Sequence, residues 1–301
     1  MAKFDWNDLQ AFLALARIGR LTVAAQQMGI DHSTLSRRIT ALEAAMGVPL
    51  FERRTEGFVL TPEGLRLSED AEAIEALTLR MRSRLEDGSA GLSGTVRIGT
   101  PEGFGTYFLA PRITSLCESY SELEIELVAN PRAFSLTKRE ADLAVGMGPP
   151  PDGRVYARKL VDYTLGLFAS RAYCEANAPI LSRNDLENNR WVGYVEDLMW
   201  TSELNYFPHI ASRISRPLHI SNVISQMSAV LGGAGIGVLP HYMARTEADL
   251  VCILPDSIKF TRAYWLITHA DTRDFARVKL VVAFLDEALR KEGPSFWLDS
   301  R

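Results

Sequence analysis

Long apolar runs are missing from this 301-residue chain. Nowhere do ~18 apolar residues follow one another, so no membrane-spanning helix is expected. Cysteine is scarce as well. Cys117, Cys174 and Cys252 are three in all and lie far apart without a CxxC. An odd, scattered set argues against a disulfide framework or a structural zinc site, and buried free thiols in a reducing compartment are expected. The start, Met-Ala-Lys-Phe-Asp-Trp-Asn-Asp, lacks the apolar centre of a secretory signal, so a cytoplasmic location is expected. Positive charge is not in excess: 33 Lys and Arg against 37 Asp and Glu leave a net charge of −4. A chain with that balance can hold phosphates only where its basic residues cluster locally. Catalytic signatures are lacking too. No GxxxxGK[ST] loop, HExxH or GxSxG is present, and His32, His209, His219, His241 and His269 are scattered. No cofactor, no metal and no enzymatic nucleophile is expected. Gly233-Ala-Gly-Ile-Gly237 looks like a dinucleotide loop but ends a helix rather than following a strand. It reads as a helix stop and tight turn.

What is present is concentrated near the start, from Val23 to Arg54. Ala24, Ala25 and Met28 belong to a short helix, and the paired small residues allow close crossing by a second one. Gly29 ends the first helix, because glycine takes a left-handed conformation without a Cβ penalty. A second helix follows Ile30-Asp31-His32 and runs to about Met46, where Gly47 stops it. Leu35, Ile39, Leu42 and Met46, spaced 4, 3 and 4, make one buried stripe. The other face carries His32, Ser33, Thr34, Ser36, Arg37, Arg38 and Thr40, groups that hydrogen-bond base edges and phosphates. This is a helix-turn-helix pattern, although two amphipathic helices around a glycine can also be plain packing. Arg53 and Arg54 then flank a short hairpin and supply a basic wing. Ahead of this region, Asp8 to Ile18 reads as a helix with Trp6, Leu9, Phe12, Leu13 and Ala16 inward. Thr22 is the expected N-cap of the next helix.

Thr61-Pro62 starts a long helix, with a hydroxyl cap and a proline where no amide donor is missed. About 26 residues at ~1.5 Å each make it roughly 39 Å long. Leu67, Ala71, Ile74, Thr78, Met81 and Leu85 follow a 4-3 seam. Such a seam pairs with a second copy or packs on its own domain. The stretch Gly88-Ser-Ala-Gly-Leu-Ser-Gly94 has hinge composition. Beyond it strands and helices alternate, as in a parallel sheet covered by helices. Strands are expected at Thr95–Gly99, Leu123–Val128, Ala141–Val145 and Val161–Ala169, and at residues 191–194, 218–220, 237–239 and 263–268. Helices are expected over Gly105–Tyr120, Ser221–Leu231 and Phe275–Lys291.

In open α/β sheets ligands sit beyond the carboxyl ends of strands, facing helix N-termini. Thr100, Pro101 and Phe104 follow the first strand, Asn130 and Arg132 the second, and Met147 the third. Ser221 and Asn222 open a helix in the other half. The hydroxyls, the Asn130 amide and the bare helix amides suit a small carboxylate or another anion. Glu102 at the mouth keeps a neutral or amphoteric molecule in view. Phe104, Met147 and Trp200 are either the apolar wall of a cleft or ordinary core, and Arg132 either a ligand charge or a surface residue.

The chain resembles LysR-type transcriptional regulators. The matching positions are the AA pair Ala24-Ala25, the SR pair Ser36-Arg37 and the LE pair Leu42-Glu43. They continue with Gly47, Leu50, Phe51 and Arg53, then with Leu60, Thr61 and Gly64. Arg20 stands where the family usually has serine, and His32 near a frequent glutamine. The resemblance implies an α/β protein with an N-terminal winged helix-turn-helix (1–61), a dimerisation linker helix (62–88), a hinge (89–94) and an effector-binding domain (95–301). That domain would comprise two Rossmann-like halves similar to periplasmic binding proteins, subdomain I (95–162 and 268–301) and subdomain II (163–267). The chain would cross between them in Asp162–Phe168 and Tyr264–Thr268. Double-stranded DNA, a small-molecule effector and a second copy of the chain are the implied partners. Tetramers through the effector domains are expected, and RNA polymerase is a further candidate. A metabolite-binding or enzymatic domain with an attached DNA-binding module is the alternative from another class, and an effector-independent repressor is a third.

Overall fold

The computed structural model describes residues 5–55, 57–86, 92–130, 141–150, 155–210, 217–270, 272–292 and 296. Side chains of residues 76, 79, 80, 82–86 and 217 are outside that description. The chain divides into two compact units between Gly88 and Ser89. The expected hinge lies mostly outside the described residues.

The first unit begins with helix α1 (Trp6–Ile18), capped by Asp5, whose carboxylate accepts the Asn7 amide at 2.9 Å. Helix α2 (Leu21–Gln27) starts one residue before the expected cap Thr22, and Arg20 at the cap position makes no side-chain capping bond. Gly29, at φ +65°, turns the chain into α3 (His32–Met46), and Gly47 stops that helix at φ +73°. Leu35, Ile39 and Leu42 of α3 are buried against Leu9, Phe12 and Leu13 of α1 and against Ala24 and Ala25 of α2. A two-stranded wing follows, β1 (Phe51–Arg54) against β2 (Gly57–Leu60), antiparallel. Phe51 packs edge-on to Phe58 at 6.1 Å and lies 5.3 Å from Phe12, which seats the wing on the helical core.

Helix α4 (Pro62–Glu86) leaves this core. The Thr61 hydroxyl donates to the Pro49 carbonyl and accepts the Gly64 amide, both at 2.9 Å. The expected seam is divided between two environments. Ala71 is fully buried and Leu67 packs beside it, so both are used by their own unit. Ile74, Thr78 and Met81 are exposed, as is Leu77. Leu85 lies among the side chains outside the description.

The second unit is an α/β domain with nine strands in one hydrogen-bonded sheet among the described residues. Strand β3 (Gly94–Gly99) pairs in parallel with β4 (Leu123–Val128) and β5 (Leu143–Gly146). Between β3 and β4 the helix opens with a π-helical turn (Phe104–Leu109) before α5 (Ala110–Ser119). Strand β6 (Val155–Ser170) is followed by α6 (Arg171–Ala176), β7 (Trp191–Gly193), β8 (Pro217–His219) and α7 (Val223–Leu231). Then come β9 (Ile236–Pro240), α8 (His241–Ala244), β10 (Leu250–Ile253), β11 (Lys259–His269) and α9 (Ala276–Glu292). Strand β7 is parallel to both β8 and β9. The turn at 233–235, with two positive-φ glycines, ends α7 and delivers β9, so it is no dinucleotide loop.

The long antiparallel pair β6–β11 joins the two parallel groups. Strand β5 pairs with β11 over Trp265–Thr268, whereas β9 pairs with β6 over Leu165–Phe168. The expected crossing segments lie on this pair but offset along it: Asp162–Gly166 faces Lys259–Ala263, and Tyr264–Thr268 faces Tyr156–Val161, with a register shift at Tyr264/Trp265. Cys117, Cys174 and Cys252 are free and half-buried rather than fully buried.

Candidate functional site

In the first unit the outward edge of α3 is polar by residue choice. His32, Ser33, Ser36, Arg37 and Thr40 are exposed, while Thr34 and Arg38 are half-buried. The apolar stripe packs on the opposite side, and the Thr40 hydroxyl donates to the Ser36 carbonyl at 3.1 Å. The wing's position is set by polar bonds. Glu43, near the end of α3, accepts the amides of Leu50 at 2.8 Å and Phe51 at 3.3 Å. The Phe58 amide donates to the Gly19 carbonyl at 2.7 Å. Arg53 and Arg54 are both exposed on β1. The Arg53 guanidinium lies 6.0 Å from the Phe58 ring, and Arg54 pairs with Glu52 at 3.0 Å. Despite the acidic balance of the whole chain, residues 1–61 hold seven Lys and Arg against six Asp and Glu. This segment thus lacks the acidic excess of the whole chain, and Arg37, Arg53 and Arg54 stand exposed on it.

In the second unit a narrow cleft opens where the β6–β11 pair meets both parallel groups. Its lining takes Pro101, Glu102 and Met147 from one group, and Tyr194, Trp200, Tyr206 and Val223 from the other. Tyr163, Tyr242 and Tyr264 form its floor. Tyr163 and Tyr264 stack at 4.1 Å, and the Tyr242 and Tyr264 hydroxyls are 2.9 Å apart. Burial pushes Tyr163, Tyr194, Tyr242 and Tyr264 well above the ordinary phenol value, so all four stay neutral O–H groups. The cleft has a volume of about 30 Å³. Beside it, a cavity of about 380 Å³ is lined by Val192, Met199, Phe207, His219 and Gln226, and shares Tyr194 and Tyr206 with the cleft.

Two family models match the chain. Residues 6–65 match the bacterial regulatory helix-turn-helix protein of the lysR family, and residues 89–290 the LysR substrate binding domain. The chain belongs to the LysR family of transcriptional regulators. Among curated relatives, the HTH-type transcriptional regulator PtxR of Pseudomonas aeruginosa is 29% identical over 255 residues, 83% of this chain and 81% of that protein. DmlR of Escherichia coli is 26% identical over 97% of each chain. Among solved structures, CrgA from Neisseria meningitidis aligns with a TM-score of 0.58 at 23% identity, covering 95% of this chain and 99% of that one. A full-length OxyR variant from P. aeruginosa aligns with a TM-score of 0.70 at 17% identity, covering 96% of each. This LysR-family chain is thus a DNA-binding transcriptional regulator: a winged helix-turn-helix followed by a two-subdomain α/β effector-binding domain.

Within that domain the structure sorts the sequence-based candidates. Pro101, Met147 and Trp200 reach the cleft. Phe104 does not. It is fully buried in an aromatic cluster with Phe108, Tyr264 and Phe296, because the π-helical turn swings it inward. Thr100 is also sealed in, with its hydroxyl against Gly105, where an added Cβ would come within 2.3 Å. The Asn222 carbonyl oxygen caps α7 by accepting the Ser225 amide at 2.8 Å, so it serves the helix. Ser221 and Asn130 are exposed and border neither cavity. Arg132 lies outside the described residues. Among the described lining residues, Glu102 borders the cleft and Glu196 the adjoining cavity. Sequence reasoning missed the tyrosines. Their signal is weak, single phenols inside apolar strands, and only the fold brings them together.

Proposed function

We propose that this regulator binds operator DNA as a homodimer, and as tetramers joined through its effector domains, with α3 entering the major groove of each half-site. Ser33, Ser36 and Arg37 read bases or adjacent backbone, with His32, Thr34 and Thr40 along the same edge. Arg38, Arg53 and Arg54 hold phosphates. The observation that carries this reading is the division of α3 into a buried apolar stripe and an exposed polar edge. Two copies pair through the exposed half of α4, Ile74, Leu77, Thr78 and Met81. Leu67 and Ala71 hold the helix to its own core instead.

The effector occupies the cleft between subdomain I (95–162 and 268–301) and subdomain II (163–267). The change of strand partners along β6 and β11 supports this division. Binding shifts the relative populations of two arrangements of the halves, to the extent that the ligand favours one of them. The protein acts in the cytoplasm without catalysing turnover of its ligand, and with RNA polymerase as a further partner. Relatives named as transcriptional regulators support the non-enzymatic reading. Footprinting on DNA upstream of its own gene, with and without a metabolite panel, tests the whole. The expected result is a protected site of paired half-sites whose pattern changes with one metabolite. No protection at any concentration would refute the reading.

A further inference from the structure

The joint between α1 and α2 is Gly19-Arg20, and it is pinned to the wing. The Phe58 amide donates to the Gly19 carbonyl at 2.7 Å, and the Arg20 carbonyl accepts the Ala24 amide at 3.0 Å. A Cβ at Gly57 would lie 3.7 Å from the Arg20 Cγ, so the Arg20 stem passes beside the start of β2. Gly57 is in turn the cross-strand partner of Arg54. Arg20 therefore stands where the first helix of the motif meets the wing, and these are the elements before and after α3 in the chain.

Arginine is a poor choice here for the fold itself. The position is the N-cap of α2, where Ser, Thr, Asp or Asn would satisfy a free amide, and Arg20 makes no side-chain capping bond. A cation at this place also meets the positive end of the helix dipole. Ion pairs join Arg17 to Glu75, Arg54 to Glu52 and Arg66 to Glu63, whereas no carboxylate among the described residues pairs with Arg20. The residue is exposed. It costs helix stability and recovers none from an acidic partner, and departures of this kind mark functional positions. The ligand of this unit is DNA. When a helix-turn-helix docks, its first helix crosses the phosphate backbone while the second lies in the groove.

We propose that Arg20 is a phosphate contact of this regulator, a guanidinium held beside the wing so that α2 and the wing grip one stretch of DNA backbone. It rests on the DNA-binding function and is independent of the effector. Each subunit then neutralises one phosphate more than it would with the serine usual in the family.

Gel-shift titrations of the full-length chain at a series of salt concentrations test it, with the DNA upstream of its own gene and a duplex of scrambled sequence as probes. Arg20→Gln keeps the stem and loses the charge. It should weaken both probes alike, roughly ten-fold at about 0.1 M salt, and lower the slope of log K against log salt by about 0.9 per bound subunit. Arg20→Lys should keep the wild-type slope. Arg20→Ser should lower the slope as Arg20→Gln does, yet raise the melting temperature of the free protein by about a few degrees, because the hydroxyl supplies the missing cap. A packing role would not join a gain in stability to a loss of affinity. An unchanged slope in Arg20→Gln overturns the assignment, since the charge would then be neutralised within the protein. A lower melting temperature in Arg20→Ser overturns it as well, because Arg20 would then be holding the wing. A loss confined to the upstream DNA overturns it in favour of base reading. All three outcomes leave the regulator reading standing, whereas a wild-type chain that binds neither probe would refute that reading and this contact together.

Discussion

At residue scale, two glycines and two arginines separate what builds the DNA-binding unit from what that unit does. Gly64 lies where a Cβ would come 2.1 Å from the Leu50 carbonyl oxygen. Gly57, at φ +138°, would place one 2.3 Å from the Gly19 carbonyl oxygen. Both positions are backbone contacts that cannot move aside, so the wing and α4 approach the core only without side chains there. Gly64→Ala is expected to destabilise this unit by roughly 2 kcal/mol or more, read as an earlier thermal transition. Arg37 and Arg53 are exposed, so their removal should leave folding intact. Arg37→Ala should cost ~1–3 kcal/mol of operator affinity with loss of sequence preference at one position. Arg53→Ala should weaken all sequences alike and lower the slope of log K against log salt by about 0.9. Gel-shift titrations at several salt concentrations distinguish the two. In the other unit, burial holds the His241 imidazole below its ordinary value of 6.5. The folded chain therefore takes up this proton less readily than the unfolded one. The stability His241 contributes is complete above pH 6.5 and is lost as pH falls from there toward the folded value. The melting temperature of wild type should accordingly fall more than that of His241→Gln between about pH 7 and pH 5.5.

At the scale of elements, α4 serves two masters along its length. Its first turns are held by the Thr61 cap, by Leu67 and Ala71 in the core, and by the Arg17–Glu75 ion pair at 2.6 Å. From Ile74 onward its described apolar residues, Ile74, Leu77 and Met81, are exposed, Leu77 at 58% and Met81 at 60%. Residues 74, 77, 78 and 81 share one face at helical spacing, which is how a helix offers a seam to a second copy. Leu77→Glu should therefore yield a folded monomer by analytical ultracentrifugation. Ala71→Glu should unfold the whole unit instead, because a buried carboxylate without a partner costs several kcal/mol. A dimeric Leu77→Glu protein would show that the seam lies elsewhere. The π-helical turn at Phe104–Leu109 has a comparable dual effect. It turns Phe104 into the core and leaves Pro101 and Glu102 at the cleft.

At the scale of the molecule, two compact units each carry their own core. Cores of this kind unfold as separate cooperative blocks unless a large interface couples them. Calorimetry of the full chain should show two transitions. Operator DNA should raise one of them, and a ligand of the cleft the other, by mass action on the folded form. A single transition raised equally by both would mean strong coupling between the units.

Much of the first unit was legible in the chain itself, because its logic is local. The 4-3-4 spacing of Leu35, Ile39, Leu42 and Met46, the stops at Gly29 and Gly47, and the Thr61-Pro62 start all act within a few residues of where they stand. Helix periodicity thus determined both the buried stripe and the exposed edge opposite it. Alternating strands and helices likewise determined the α/β class of the second unit. Tertiary structure alone decided the division of the α4 seam, since Leu67 and Ile74 look alike until the position of the core is known. It alone decided the character of the cleft as well. Tyr163, Tyr194, Tyr206, Tyr242 and Tyr264 come from segments up to about a hundred residues apart, and no local pattern marks them. They meet because β6 and β11 run side by side between the two halves, and that pairing is a long-range contact.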